Sequence, residues 1–266
     1  MKNKKIKSLF SLITLLALLT IYNGCGDDSM NTTTTVGPPP SIRMTPGSTY
    51  DFTYDSLIAS PSQTIRLPRQ SHDVVQAQFV FAGKTCFPVI STTTDTTTNT
   101  VVGVDTAYFS YDSTGGKFYQ YGISKLINPL FGTSTWDLVG DFSVAMGNSW
   151  TVGTINYTVS VGGTPYNFIG PLTSKIAEKT SIVTTGTGQT VNCYRIELLA
   201  HVSATTNGIT ATADIYVDYY LGYASSSANP SGLLQAKLRP FNFIVSGIPV
   251  PQNGDDRKLK SFTIAP

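Results

Sequence analysis

The sequence predicts an all-β protein: a curved antiparallel sheet of about a dozen strands, half-barrel or barrel-like, with few short helices. A two-sheet β-sandwich is the alternative. Three observations lead there. Two long runs, Cys193 to Thr206 and Ile209 to Leu221, meet at Asn207-Gly208, a dipeptide suited to the type I′ turn of a two-residue hairpin. Period-two alternation recurs along most of the chain, and no window carries the periodicity of an amphipathic helix. Charged residues make up 13% of the chain, against about 25% in an average soluble domain, and Thr, Gly and aromatics take their place. That composition suits an extracytoplasmic β protein.

The long hairpin fixes its own register. With Asn207 and Gly208 as the loop, Thr206 faces Ile209 and the pairing runs down to Tyr194 opposite Leu221. One face then carries Tyr194, Ile196, Leu198, Ala200, Val202 and Ala204 opposite Leu221, Tyr219, Val217, Ile215, Ala213 and Ala211, with no charge among them. The other carries Arg195, Glu197, His201, Asp214, Tyr216, Asp218 and Tyr220, the polar alternate of a half-buried strand. Strands this long must twist and coil, which favours a barrel over a flat sheet. On the apolar face the side chains shrink toward the turn. Ala200, Ala204, Ala211 and Ala213 therefore leave room for a neighbouring element or a ligand, while Tyr216 and Tyr220 on the opposite face offer flat rings to a sugar or an aliphatic chain.

The remaining elements follow in chain order. Residues 1–24 read as a lipoprotein signal peptide, 25–47 as a flexible Thr/Pro-rich tether and 48–266 as a single β domain. Tyr50, Phe52 and Tyr54 alternate with Asp51, Thr53 and Asp55, and Val75, Ala77, Phe79 and Phe81 alternate with Gln76 and Gln78, so both segments read as one-sided strands. Thr85 to Ile90 is a shorter run whose Pro88 marks an edge or a strand end. Ser91 to Thr100 is nearly all Thr and reads as a long loop or a ragged hairpin. Val101 to Tyr111 resumes the alternation and turns through Ser113-Thr114-Gly115-Gly116 into Lys117 to Tyr121. Ser124 to Ser134 contains Asn128-Pro129, lacks alternation, and reads as a short helix or an irregular crossing. Trp136 to Phe142, Ser149 to Val161, Tyr166 to Ile169, Lys175 to Thr184, the long hairpin, Gly232 to Arg239 and Phe241 to Val245 complete the strands.

The N-terminus supplies an address. Lys2, Lys4, Lys5 and Lys7 form a basic n-region, and Leu9 to Tyr22 is too short for the roughly 20 apolar residues of a membrane-spanning helix. Tyr22-Asn23-Gly24 precedes Cys25, and no A-x-A-like cleavage site is present. At these residues the segment resembles the lipobox of bacterial lipoproteins, which implies a lipidated Cys25 as the mature N-terminus, palmitate among its acyl chains, and membrane attachment at the outer membrane, on its periplasmic face or at the cell surface. Plain secretion and an uncleaved anchor are the alternatives. Asp27 and Asp28 resemble acidic sorting signals, or are simply a solvated linker. Loss of residues 1–24 removes four of the 18 basic residues, leaving 14 against 16 acidic ones and a net charge of −2. A domain so balanced, without a Lys/Arg cluster, is not built for nucleic acid.

Catalytic arrangements are few because the chain holds two His and two Glu. His72 and His201 supply no H-E-x-x-H, and there is no G-x-S-x-G elbow, C-x-x-C, P-loop, G-x-G-x-x-G or EF-hand run. Ser71-His72-Asp73 are chain neighbours, which places alternate side chains on opposite sides of an extended strand. No catalytic residue, metal site or cofactor is expected, and the protein reads as a non-enzyme. On the hairpin's polar face the register sets His201 opposite Asp214 and Glu197 opposite Asp218, with Arg195 in diagonal reach of Asp218: a ligand patch or a well-paired surface. With Cys25 lipidated, Cys86 and Cys193 remain as a candidate disulfide or as two buried thiols.

Residues 188–237 contain Val191-Asn192-Cys193-Tyr194-Arg195-Ile196, then Asp218-Tyr219-Tyr220-Leu221-Gly222-Tyr223 and Pro230-Ser231-Gly232-Leu233-Leu234-Gln235-Ala236-Lys237. These resemble the last strands of the half-barrel carrier and receptor fold of lipoprotein sorting. The resemblance implies a curved sheet half-wrapping a helical lid around a lipid-binding cavity. Two functions stay open: a lipid-anchored binding domain for a hydrophobic or glycan ligand, and a structural or adhesive surface lipoprotein with a filled β-sandwich core.

Overall fold

Alternating apolar positions bury one side of strand after strand, and a sheet with one apolar face and very long strands lowers its exposed area by curling on itself. The computed structural model describes residues 39–122, 135–161, 164–206, 208–224 and 229–266. In chain order the strands are β1 (Thr49–Ile58), β2 (Gln63–Val75), β3 (Phe79–Phe81), β4 (Lys84–Asp95), β5 (Thr100–Asp112), β6 (Lys117–Tyr121), β7 (Trp136–Asp141) and β8 (Ser149–Val161). There follow β9 (Thr164–Val183), β10 (Thr190–Thr206), β11 (Ile209–Gly222), β12 (Gly232–Leu238), β13 (Phe241–Val245), β14 (Ile248–Gln252) and β15 (Gly254–Thr263). Among the described residues there is no helix.

Twelve strands form one antiparallel path, β7-β6-β5-β4-β2-β1-β15-β12-β11-β10-β9-β8. β3 pairs with β4, and the β13–β14 hairpin extends β11 beyond the end of β12. The C-terminal strand β15 inserts between β1 and β12, so the two ends of the domain are stitched together. This is one continuous sheet, and the sandwich alternative does not hold. β-Bulges in β1–β15, β1–β2, β9–β10, β11–β12, β6–β7 and β8–β9 supply the local bends.

The two ends of the path, β7 and β8, meet across a seam that side chains close. Ser174 Oγ donates to the Val139 carbonyl at 2.7 Å, and Trp150 Nε1 donates to the Leu138 carbonyl at 2.9 Å. These bonds tie β7 to β9 and β8, with which it has no strand pairing, so the barrel is nearly closed without a continuous ladder.

Two cores fill different levels. The larger holds Phe52, Phe109, Phe118, Val139, Ile196, Leu198, Tyr219, Leu221, Leu234 and Leu259. One end of it is plugged by a strap ahead of β1, where Ile42 and Met44 join that core. The strap is held by Ala224 N–H donating to the Ser41 carbonyl at 2.7 Å, Arg43 N–H donating to Ser231 Oγ at 2.8 Å, and the Tyr111 hydroxyl donating to the Pro40 carbonyl. Packed chain thus extends into the stretch read as tether, because two apolar side chains among its Pro and Ser residues suffice to dock it.

The smaller core lies under the far end of the long hairpin. There Phe168 of β9 and Phe243 of β13 approach to 4.8 Å between ring centres, over Ala200, Val202, Ala204, Ala211 and Ala213. Ala211 pairs with Val245 and Thr212 with Ile244, so the next rung sets Ala213 beside Phe243. The alanines are small because rings from strands on either side fold over them. The predicted register of the hairpin is observed from Thr206 opposite Ile209 to Cys193 opposite Gly222, although Asn207 itself lies outside the described residues.

The Thr-rich stretch is the ragged hairpin of its two expected readings: it forms the end of β4 and the start of β5, with a register shift between Thr93 and Thr94, and turns where Asp95 accepts from the amides of Thr97 and Thr98 at 2.8 and 3.1 Å. β-Branched Thr fits a strand even without apolar neighbours. β9 is continuous where two short strands are expected, and Val75 to Phe81 is broken between β2 and β3. β2, β14 and β15 are largely unanticipated. Ser124 to Ser134, the signal peptide and the tether up to Pro38 lie outside the described residues, and the helical lid implied by the carrier resemblance has no counterpart among those described.

Candidate ligand site in the barrel lumen

Adjacent strands β2, β1 and β15 each turn polar side chains inward at one level, above the larger core. Register pairs Phe52 with Ser71 and Tyr54 with Arg257, so an arginine enters the lumen among aromatic and hydroxyl groups. Arg257 Nη2 donates to Asp73 Oδ2 at 2.6 Å and to Ser71 Oγ at 3.0 Å, and its Nε donates to the Tyr54 hydroxyl oxygen at 3.1 Å. Its guanidinium carbon stands 3.6 Å from the centre of the Phe52 ring, a cation–π contact. Side-chain exposure is 11% for Arg257 and 8% for Asp73. Burial works against the charge on Arg257, but the Asp73 carboxylate and the Tyr54 contact outweigh it and hold its pKa above the ordinary value. A pair so buried is fixed in position, since parting it strands a desolvated charge.

Two neighbouring cavities adjoin this pair. The inner one, about 30 Å³, is lined by Met44, Tyr50, Phe52, Asp73, Ser231 and Arg257 among others, with Met44 of the strap on its wall. The outer one, about 320 Å³, opens at the opposite end from the strap between Tyr54, Arg69, Asp105, Val217, Leu238 and Arg257. Ser91, Asp105 and Arg257 line both. Burial pushes the Asp255 carboxyl at this mouth upward, with Arg69 opposing it. A hollow of about 440 Å³ also lies against Arg66 to Gln70 and Thr96, but it is open to solvent and no buried charge lines it among the described residues. The lumen cleft is the better site because it couples an apolar wall to fixed, desolvated polar groups.

The residues singled out from the sequence fall elsewhere. Ala200, Ala204, Ala211 and Ala213 are buried in the smaller core, packed under aromatic rings, and none of them lines either lumen cavity. Tyr216 and Tyr220 are half-buried on the outer face, Tyr216 under the Arg239 guanidinium at 5.1 Å. The neighbouring Val217, on the inward face, does reach the cleft. Expected pairings on the outer face are present, with His201 bonded to Asp214 and Arg195 to Asp218 at 2.9 Å. Arg239 joins them unexpectedly, donating to both Asp218 and Glu197 at 2.6 Å, and Lys175 reaches Glu197 at 2.7 Å. This network ties β9, β10, β11 and the end of β12 together from outside. Cys86 and Cys193 are free, buried thiols on β4 and β10, the second of the two readings the sequence left open. Burial pushes the Cys193 thiol up to about 12.

The site residues sequence reasoning missed have a signal after all. Arg69, Ser71 and Asp73 in β2, and Asp255 and Arg257 in β15, occupy alternate positions, but a polar inward face disguises a strand whose pattern is sought in apolar residues.

Fold and cleft together define an antiparallel β-barrel, plugged at one end by its N-terminal strap and carrying a small polar-lined cleft at the other. No known family's profile matches the sequence, and no curated protein does. The fold is similar to the crystal structure of a candidate lipoprotein from Parabacteroides distasonis, with a TM-score of 0.50 and 10% identity over 85% of this chain and 100% of that one. A candidate exported protein with a YmcC-like fold from Bacteroides fragilis aligns with a TM-score of 0.41 and 8% identity over 85% of this chain and 99% of that one.

Proposed function

We propose that this is an exported, lipid-anchored protein of the cell envelope that binds a small ligand in the lumen cleft and catalyses no reaction. The observation that carries the reading is the cleft of about 320 Å³ with the desolvated Arg257–Asp73 pair at its floor. Its volume falls in the range of small-molecule sites, and fixed polar groups beside Leu67, Val217, Ala236 and Leu238 give it orientation as well as contact area. The anchor rests on the lipobox-like Cys25. The candidate lipoprotein of similar fold is in keeping with this. Attachment at the outer membrane, on either face, is part of this proposal.

The non-enzymatic reading is supported by the placement of the two His. His72 is paired with Asp51 at 2.8 Å and His201 with Asp214, both on the outer face and away from the cleft. A structural or adhesive role has one observation in its favour: aromatic rings of neighbouring strands, one of the two occupants the sequence left open, share a buried cluster with the alanines. Native mass spectrometry of the protein purified from membranes, followed by aqueous and organic extraction, decides between them. A retained ligand supports binding. An empty protein that gains no thermal stability from any of a broad set of small molecules favours the structural role. Labelling with palmitate, retained by the wild type and lost in Cys25→Ser, checks the anchor.

A further inference from the structure

We propose that the lumen cleft takes a neutral saccharide, one hydroxyl of which enters the inner cavity, donates to Asp73 Oδ1 and accepts from Arg257. This rests on the reading of the cleft as a ligand site. Asp73 is 6% exposed, its Oδ2 is bonded to Arg257, and its Oδ1 is buried without a hydrogen-bond partner among the described residues. A desolvated carboxylate oxygen left unpaired is costly, so the site is built for a donor that arrives from outside the chain. Arg257 commits Nε and Nη2 to Tyr54, Ser71 and Asp73, and its guanidinium lines the same cavity as Asp73.

The size and charge of the space select the donor. At about 30 Å³ the inner cavity holds one water or one hydroxyl, and it shares Ser91, Asp105 and Arg257 with the larger cleft as lining. An ammonium group would donate to Asp73 but would sit against the Arg257 guanidinium. An anionic oxygen would accept from Arg257 but has nothing to donate, and it would face Asp73, Asp105 and Asp255 with Arg69 and Arg257 as the balancing charges. A hydroxyl group satisfies both partners at once. Beyond it, Thr93, Ser91 and Asp255 present further polar groups, and Leu67, Ala236 and Leu238 present apolar surface for the C–H face of a sugar ring. A hydrocarbon chain would leave every one of these polar groups unpaired.

The test is isothermal titration of the full chain, purified in a detergent without a sugar headgroup, against neutral mono- and disaccharides, glucosamine, glucuronate and decanoate. At least one neutral sugar should bind, and a deoxy analogue lacking the inserted hydroxyl should bind at least about tenfold more weakly. Ala236→Leu, directly opposite Arg257 in the β12–β15 register, fills the outer cleft beside the Arg257–Asp73 pair and should abolish that binding, and Asp73→Asn should weaken it by about tenfold or more. If Asp73→Asn fails to fold, Ala236→Leu and the deoxy series decide alone. Binding of glucosamine, glucuronate or decanoate, lost in Ala236→Leu while neutral sugars fail, keeps the cleft as a ligand site and overturns the saccharide. Sugar binding that survives Ala236→Leu places the site elsewhere and overturns the inference. No binding by any probe overturns both readings.

Discussion

Ala213→Leu asks whether the far end of the long hairpin is packed or open. Ala213 is buried, and the rung after Thr212 opposite Ile244 sets it beside Phe243, whose ring lies 4.8 Å from Phe168 and 5.3 Å from Phe241. A leucine there adds three carbons to space those rings occupy, and overpacking of this kind costs about 1–3 kcal/mol. Phe243→Ala, which removes a buried ring, costs about 3–5 kcal/mol. In the double variant the leucine enters the vacated volume, so the losses should fall short of additivity by about 1 kcal/mol or more. Urea unfolding followed by tryptophan fluorescence and circular dichroism measures all three, and each kcal/mol lost should lower Tm by about 2–4 °C in a domain of this size. A leucine that is neutral or stabilising would show a void beside Ala213. The account of the alanines as room made for aromatic rings would then be wrong, and a ligand face there would reopen.

Three further outcomes follow from the structure. Arg239→Met should cost about 1–3 kcal/mol near neutral pH, because Asp218 and Glu197, with side-chain exposures of 5% and 11%, lose a shared counter-charge. Burial acts against the Glu197 charge, but Lys175 and Arg239 hold its pKa below the ordinary 4.5, so the pairs contribute stability above that pH; the wild-type advantage in urea titrations should shrink as pH falls below it. Gly170→Ala places a Cβ 1.8 Å from the His201 carbonyl oxygen, so β9 and β10 must part locally; a loss of less than about 1 kcal/mol in the same unfolding assay would contradict that approach. Cys86 and Cys193 should resist iodoacetamide in the folded protein and both react in denaturant, without prior reductant, as read by intact mass.

How much of this was legible from the chain depended on which way polar residues point. The long hairpin carried its whole register in one turn dipeptide and two apolar rows, and the structure keeps every pair from Thr206 opposite Ile209 down. β15 was invisible by the same logic: Gly254-Asp255-Asp256-Arg257-Lys258 looks like a charged tail, yet Asp255 and Arg257 face the cleft and Leu259 the core. The strap was hidden for the opposite reason, since Ile42 and Met44 are two apolar residues in a Pro-rich stretch, too few to show a period.

By itself the sequence determined the all-β class, the continuous antiparallel alternation and the pairing of β10 with β11, because those depend on spacing between near neighbours in the chain. It also carried the lipobox-like segment on which the proposed anchor rests. Tertiary structure alone decided between the barrel-like sheet and the two-sheet sandwich, and decided that β15 lies between β1 and β12 and that Arg257 meets Asp73 across 184 positions of sequence. The meaning of the alanine row was decided there too. An alanine leaves space in any sequence, and whether Phe168 and Phe243 or a ligand fills it depends on how tightly distant strands coil over one another.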